Sequence, residues 1–220
     1  MAYKVLFKFP SRGRPTNFFS GLDSIVNNLY NTEDFHISCT LDTDDATMNN
    51  PEVISRIMEY ENTSIEWGTS ESKIHAVNRS MPDIDFDIII CMSDDMRFLF
   101  FGFDELIRIE FSETLDLLLH YPDEDAKEAL ATMYIAGRTY YNRRGFIYHP
   151  SYKSLWCDNE EMEVAKRLKK YKFINCPGII SHQNPGYGRH PKDEMFVRQQ
   201  GDWSEDEKNY RERKLKNFYL

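Results

Sequence analysis

The first hundred residues alternate between short apolar runs and stretches with helical spacing. The apolar runs predict strands over Tyr3–Phe9, His36–Leu41, Ser64–Trp67 and Phe86–Met92. Between them, apolar residues three or four apart predict helices over Phe18–Tyr30, from Pro51 to about Tyr60, and over Ser72–Ser80. This β-α-β-α-β-α-β order is typical of a parallel sheet with crossover helices, so the pattern predicts an α/β fold.

The second half of the chain has a less regular pattern. An amphipathic stretch predicts one helix over Gly102–His120, and two β-rich runs predict strands over Thr132–Gly137 and Gly145–His149, joined by a turn. The remaining predicted elements are a charged helix over Glu160–Tyr171, a strand over Lys172–Cys176 and a last charged helix over Glu205–Asn217. No segment has the composition of a linker, so one domain is expected over residues 1–220.

The segment Phe86–Asp95 carries the most chemical information. Its apolar run from Ile88 to Cys91 is typical of a strand buried on both faces, and it ends abruptly in Asp94 and Asp95. Ligands of open α/β sheets bind beyond such strand ends, and adjacent carboxylates repel each other unless a cation offsets the repulsion. The alternative is a helix-capping turn, but Met96–Phe101 is too apolar for an ordinary solvated one. The segment therefore predicts a divalent metal site, which usually accompanies phosphate.

Charged residues follow the other predicted strands at the same edge. Arg12 and Arg14 come after the first strand, and Asp42 and Asp44 come after the second. Guanidinium groups suit diphosphates or nucleobases, and carboxylates accept hydrogen bonds from ribose hydroxyls or base N–H groups. A solvated loop or turn is the alternative for each residue. The chain lacks GxGxxG and GxxxxGK[ST], so neither a dinucleotide-binding Rossmann site nor a P-loop is indicated.

Three later residues have both a functional and a structural interpretation. Asp158 and Glu160 precede a helix, where they either favour its amino end or supply a general base. His182 follows an apolar run, where it is either structural or a ligand for an ion such as Mn²⁺.

Charge and hydropathy narrow the class of protein. The formal net charge of −9 disfavours non-specific binding to nucleic acid, although a local basic cleft stays compatible with it. No apolar stretch approaches the ~20 residues of a membrane span. The amino-terminal MAYKVLFKFP has the pattern of a strand rather than of a signal peptide, so a cytoplasmic protein is expected.

Five segments, in this order, resemble a small glycosyltransferase of the GT-A fold, near the family-2 type. They are SRGRP after the first strand, LDTDD after the second, SKIHAVN, IIICMSDD in the position of the DxD motif, and LWCDNE before a late helix. The resemblance covers most of Lys4–His182 and depends on order and spacing, since no single motif is specific. It implies a Rossmann-like fold with a mostly parallel central sheet flanked by helices and a small acceptor-side subregion. Residues 1–100 would bind the nucleotide-sugar, 101–185 the acceptor, and 186–220 would form a tail.

The resemblance also implies roles for individual residues. The donor nucleotide would be held by Ser11, Arg12, Arg14, Asp42, Asp44, Lys73, Asn78, Ser93 and Asp94. Asp95 matches the metal-binding acid of the DxD motif and His182 a further metal contact, for Mn²⁺ or Mg²⁺. Asp158 matches the catalytic base, with Glu160 as its rival. Ser93 departs from the pattern, because the first acid of DxD stands there in the family, and this puts the usual ribose contact in doubt.

The implied activity is metal-dependent transfer of a sugar from a nucleoside diphosphate to an acceptor hydroxyl, with inversion, by a hexosyltransferase-type enzyme. A UDP-sugar donor is expected by analogy, and the acceptor is a saccharide, a protein or a modified nucleobase. One rival is a non-catalytic nucleotide-sugar-binding module. Another is a metal-dependent nuclease, which needs a basic groove whose only candidates are Arg143, Arg144 and Lys166–Lys172. An aromatic group, either a stacking platform or packing, comprises Tyr140, Tyr141, Tyr148, Tyr152 and Trp156.

Overall fold

A computed structural model describes residues 3–188 and 190–220. Its strands are β1 (Val5–Pro10), β2 (Phe35–Asp42), β3 (Thr63–Gly68), β4 (Ile88–Cys91), β5 (Met96–Phe98), β6 (Leu118–His120), β7 (Tyr134–Gly137), β8 (Tyr171–Phe173) and β9 (Ile180–His182). Its α-helices are α1 (Pro15–Val26), α2 (Pro51–Ile57), α3 (Lys73–Asn78), α4 (Phe103–Glu110), α5 (Arg138–Arg144), α6 (Cys157–Arg167), α7 (Glu194–Gln200) and α8 (Trp203–Leu215). Two short 3₁₀ helices cover Pro185–Tyr187 and Asn217–Tyr219.

Seven strands form one sheet in the order β3-β2-β1-β4-β7-β6-β8, and β5 pairs with β9 in a second, two-stranded sheet. Within the large sheet only β7 runs antiparallel to its neighbours. The predicted α/β fold with a mostly parallel sheet is confirmed. Because β1, β2 and β4 are parallel neighbours, their carboxyl ends meet at one edge, as the sequence predicts.

The sheet is buried on both faces by two apolar clusters. On β1, Val5, Phe7 and Phe9 pack into the cluster that includes α1 and α4, while Leu6 packs into the cluster that includes α3 and α5. Because alternate side chains point to opposite faces and both faces are covered, β1 has no polar face. The exception is Lys8, which is fully buried on the Leu6 side.

Helices α2 and α3 begin as the sequence predicts, whereas α1 begins at Pro15 rather than at Phe18. Asn50 caps α2 by accepting a hydrogen bond from the Val53 N–H at 3.0 Å, with Pro51 at the first helical position. Ser72 caps α3 in the same way through the His75 N–H. These side chains satisfy amide groups that a helix leaves without a partner at its amino end.

The predicted helix over Gly102–His120 is wrong in its second half. Helix α4 ends at Glu110, and the chain turns so that Leu118–His120 forms β6. This apolar segment pairs with β7 and β8 inside the sheet, a tertiary partnership that overrides the helical spacing.

The predicted strand over Gly145–His149 is also wrong. The residues before it form α5, and the predicted turn is the last turn of that helix, closed by Gly145 at φ 74°. The spacing did not predict α7, β5 or the pairing of β5 with β9. These strands are three residues long, too short for a period of two to be visible.

Candidate active site

A cavity of about 290 Å³ lies at the carboxyl ends of β1, β2 and β4. Its other walls are the start of α3, the loop at Lys153–Ser154, and residues of α7 and the turn that follows it. The predicted residues among its lining are Ser11, Arg12, Arg14, Asp42, Lys73, Ser93 and Asp94. The structure therefore brings together most of the predicted donor-binding residues, in the crevice where open α/β sheets bind ligands.

Arg12, one of two arginines of the β1–α1 loop that line this cavity, is paired with two carboxylates. Arg12 forms a two-bond ion pair with Asp44, at 2.7 and 2.9 Å, and its Nη1 also donates to Asp42 Oδ2 at 2.9 Å. These carboxylates raise the pKa of Arg12 further above its ordinary value. Asp44 itself is exposed, so a ligand can replace Asp44 as the partner of Arg12 at a small cost in free energy.

Asp42 is buried and is held from a second side. Its Oδ1 accepts from Ser70 Oγ at 2.6 Å and from Arg79 Nη2 at 2.9 Å. Sequence reasoning placed Arg79 on α3 but assigned it no role, and it gave Ser70 none at all. Nothing in the local pattern signals these contacts, because they join β2 to residues 28 and 37 positions later.

Asp94 is bound within the protein as well. It accepts from Ser11 Oγ at 3.0 Å and from Arg14 Nη1 at 2.8 Å. Burial raises the pKa of Asp94 above its usual range, the neighbouring Asp95 adds to this, and Arg14 opposes it. Arg14 also forms two hydrogen bonds with Asp193, the residue that caps α7, and this joins the carboxyl-terminal segment to the cavity.

Asp95 faces a histidine that arrives from far along the chain. In the β5–β9 sheet Met96 lies opposite His182, and the Gln183 N–H donates to the Asp95 carbonyl at 2.7 Å. This pairing sets His182 Nε2 3.6 Å from Asp95 Oδ2.

On its other side, His182 Nδ1 lies 3.2 Å from Asp123 Oδ2. Burial lowers the pKa of His182, but the bonds to Asp123 and Asp95 outweigh it and raise the pKa to about 9. Sequence reasoning assigned no role to Asp123. A carboxylate that orients a histidine in this way is a common companion of a metal ligand.

The Asp95–His182 pair fits a divalent ion, which would displace a proton from His182 on binding because only neutral imidazole is a metal ligand. Asp95 Oδ1 is buried and has no hydrogen-bond partner, which leaves one carboxylate oxygen for a ligand. Over residues 3–188 and 190–220 no group of three or more His, Cys, Asp or Glu side chains is placed to hold a metal by itself. Mg²⁺ commonly has only one or two protein carboxylates and completes its ligands with substrate phosphates and water, so two protein ligands suffice.

Asp158 does not line the cavity, but it lies close enough to Lys73 and His182 to interact electrostatically with both. Asp158 is the second residue of α6 and accepts from the Asn159 N–H at 2.9 Å. Burial raises the pKa of the Asp158 carboxyl, and the nearby Lys73 and His182 oppose the rise. Within the described parts of the chain Lys73 has neither a hydrogen bond nor an ion pair of its own, so its ammonium is available to an anion.

Two predicted site residues are engaged elsewhere. Glu160 is fully buried and binds Arg213 through two hydrogen bonds and Tyr152 through a third. The Asn78 side chain donates to the Tyr148 carbonyl and accepts from the Ile147 N–H, so it fixes a loop. Neither residue lines the cavity.

The predicted aromatic group belongs largely to the core. Tyr140, Tyr148 and Tyr152 are buried, whereas Tyr141 and Trp156 are partly exposed. Trp156 has φ 62°, a costly backbone conformation for a bulky residue, two positions before Asp158. Packing is therefore the main role of these rings.

Most arginines and lysines of the candidate basic groove of a nuclease form ion pairs within the protein. Arg143 and Lys170 both pair with Asp116, and Lys172 pairs with Glu110. Arg144 pairs with the buried Glu161. In the described parts of the chain, no helix is both long and apolar enough to cross a bilayer.

No protein-family model matches the chain, and no curated protein sequence matches it. Among solved structures it is similar to the mannosyltransferase PcManGT from Pyrobaculum calidifontis in complex with GDP-Man and Mn²⁺, with a TM-score of 0.65 and 14% identity over 86% of this chain and 59% of that one. It is also similar to S. aureus TarS 1-349 in complex with UDP, with a TM-score of 0.64 and 9% identity over 81% of this chain and 60% of that one.

A further match is TarS 1-349 without a named ligand, with a TM-score of 0.62 and 10% identity over 83% of this chain and 61% of that one. The chain thus spans about three fifths of the length of these structures. At such low identities the likeness shows the fold. The chain has a GT-A-like glycosyltransferase fold, as the sequence resemblance implied.

Proposed function

We propose that this protein is a metal-dependent glycosyltransferase that moves a sugar from a nucleoside diphosphate, UDP in the first instance, to an acceptor hydroxyl. One observation carries the proposal: Asp95 keeps a buried, unpartnered carboxylate oxygen beside His182, next to a cavity lined by cationic side chains. The similar solved structures include complexes with GDP-Man plus Mn²⁺ and with UDP, which supports a nucleotide-sugar as the ligand.

The cavity offers separate places for the parts of such a donor. The base and ribose would meet Asp42 and Arg12 at the end of β2, and the diphosphate would meet Arg14 and Lys73. Asp95 and His182 would hold Mn²⁺ or Mg²⁺. When bound, the ion would offset the negative charge that develops on the leaving diphosphate.

Asp158 is the residue that we assign as general base. Its carboxylate would take the proton from the acceptor hydroxyl while the acceptor oxygen bonds to the anomeric carbon, and the bond from that carbon to the diphosphate oxygen breaks. Attack from the face opposite the leaving group inverts the anomeric configuration, as in inverting hydrolysis. The raised pKa of Asp158 makes it a stronger base than an ordinary aspartate, which suits the role.

Glu160 is less suited to that role. Its carboxylate is fully buried and both oxygens accept hydrogen bonds from Arg213, so an acceptor hydroxyl has no route to it. The proposed acceptor is a saccharide, a protein or a modified nucleobase.

Calorimetry tests the proposal directly. UDP should bind with Mn²⁺ present and much more weakly with chelator, and the complex with a UDP-sugar should release UDP slowly by hydrolysis. A screen of nucleotide-sugars then identifies the sugar. Asp85→Ala, at an exposed carboxylate, serves as the control, and Asp95→Ala should lose the metal dependence.

The same experiment separates the rivals. Metal-dependent UDP binding without hydrolysis of any donor would identify a non-catalytic module. Cleavage of a phosphodiester with no selective UDP binding would identify a nuclease. Either result would overturn the proposed transferase activity.

A further inference from the structure

The protein itself fills most of the hydrogen-bond acceptor positions of the Asp42 carboxylate. A carboxylate has about four hydrogen-bond acceptor positions, two on each oxygen. On Asp42, Ser70 Oγ and Arg79 Nη2 fill both positions of Oδ1, and Arg12 Nη1 fills one position of Oδ2. One position, on Oδ2, is left for a ligand.

Arg79 is itself held firmly in place. Its Nε donates to Ser70 Oγ at 2.7 Å, and its Nη2 also donates to the Leu41 carbonyl at 2.9 Å. The buried Lys8 ammonium donates to the Arg79 and Ser80 carbonyls, both at 2.8 Å, and so anchors the backbone at the end of α3.

The end of β3 leaves room for this guanidinium. A Cβ added at Gly68 would lie 2.6 Å from Arg79 Nη1, so any side chain there would force Arg79 to shift. The contacts to Asp42 Oδ1 therefore come from a packed arrangement, whereas Arg12 reaches Oδ2 from an exposed pair with Asp44 and can move aside.

Nucleobases differ in the donors that they present to one carboxylate. Guanine presents two parallel donors, N1–H and the 2-amino group, which need both carboxylate oxygens. Uracil presents a single N3–H between two carbonyl oxygens, which needs one acceptor with cationic donors beside it.

We infer that Arg79 and Ser70 make this site selective for uracil over guanine, because they occupy Oδ1 of Asp42 and leave only the oxygen Oδ2 to accept from a base. The inference rests on the proposed nucleotide-sugar function and adds two specificity-determining residues to it. A guanine in this pocket would leave its 2-amino group without an acceptor, and an unpaired buried donor lowers affinity by about tenfold or more.

Calorimetry with UDP and with GDP, each with Mn²⁺, tests the inference through the ratio of the two dissociation constants. In the unmodified protein UDP should bind at least about tenfold more tightly. Ser70→Ala frees a position on Oδ1, so the ratio should fall several-fold because GDP binding improves. Gly68→Ala displaces Arg79 from the other side and should lower the ratio as well. Ser112→Ala, at an exposed serine, is the control and should keep the ratio unchanged.

Each outcome has one meaning. If GDP binds as tightly as UDP to the unmodified protein, the selectivity inference is wrong and nucleotide binding still stands. If neither nucleotide binds, the proposed function itself fails. If Ser70→Ala and Gly68→Ala fold, as thermal melting shows, but weaken UDP and GDP equally, Arg79 and Ser70 are merely structural and the inference is overturned.

Discussion

Two pairs of adjacent acids, Asp94–Asp95 and Glu160–Glu161, lie in the protein interior but differ in whether all their carboxylate oxygens have hydrogen-bond partners. Both pairs come from similar sequence, two carboxylates beside apolar residues. Both oxygens of Glu160 and of Glu161 accept hydrogen bonds from arginine or tyrosine side chains. Asp94 is paired with Arg14, but Asp95 Oδ1 has no partner.

This difference separates a carboxylate whose oxygens are all hydrogen-bonded within the protein from one that keeps an oxygen for a ligand. A buried acid whose acceptors are all occupied stabilises packing, here by joining α6 to α5 and α8. A buried acid with an unpaired oxygen costs free energy until something binds it. Asp95→Ala and Glu160→Gln test this difference directly, and Asp158→Asn and Lys8→Met test two other buried groups for comparison.

Asp95→Ala should give the largest effect. Removing the ligand oxygen should lower metal-dependent turnover by a factor on the order of 10⁴, because a bound cation supplies several kcal/mol of transition-state stabilisation. Steady-state assay against Mn²⁺ concentration measures it. Full turnover in this variant would mean that the Asp94–Asp95 pair holds no metal.

Asp158→Asn should lower the rate by a factor on the order of 10³, since it removes the proposed general base. Donor affinity should stay nearly unchanged, because in the proposed mechanism Asp158 meets the acceptor and not the nucleotide. Calorimetry and single-turnover kinetics separate these two effects. A comparable loss of rate in folded Glu160→Gln, with Asp158→Asn fully active, would move the base to Glu160.

Glu160→Gln should reduce stability and spare the chemistry. Breaking a buried ion pair leaves Arg213 unpaired, which costs about 3 kcal/mol in the free energy of unfolding. Urea denaturation measures it. Glu207→Gln is the matched control, since Glu207 pairs with the exposed Arg211 and should change stability by less than about 0.5 kcal/mol. Equal effects of the two would remove the distinction between buried and surface acids.

Lys8→Met should give the smallest effect, visible as a change in pH dependence. Burial lowers the pKa of Lys8 from 10.5 to about 8. Between pH 8 and 10.5 Lys8 therefore holds more protons in the unfolded chain than in the folded one, so Lys8 by itself should contribute a rise of stability with pH of roughly 1–2 kcal/mol across this window.

The Lys8→Met variant should lack that rise, and Lys208→Met, at an exposed lysine, should retain it. Urea denaturation at pH 8 and pH 10 makes the comparison. The same pH dependence in the unmodified protein and in Lys8→Met would show that the buried lysine keeps its proton.

The charged residues at the carboxyl ends of β1, β2 and β4 were more predictable from sequence than the residues that they contact. The amino-terminal residues Arg12, Asp42 and Asp94 each follow a strand with a clear period, so parallel pairing alone brings them together. No local sequence pattern predicts the roles of Arg79, Asp123 and Asp193, because the residues that they contact lie far away along the chain.

The order of strands and helices in the first half, and the edge at which charged residues gather, follow from the sequence alone, because periodicity and strand direction are local properties. Which acids have hydrogen-bond partners depends instead on the folded chain. The three-residue β5–β9 pairing brings His182 to Asp95, and α8 brings Arg213 to Glu160. Whether a buried carboxylate has a partner depends on chain segments that meet only in the folded molecule, and that is what separates Asp95 from Glu160.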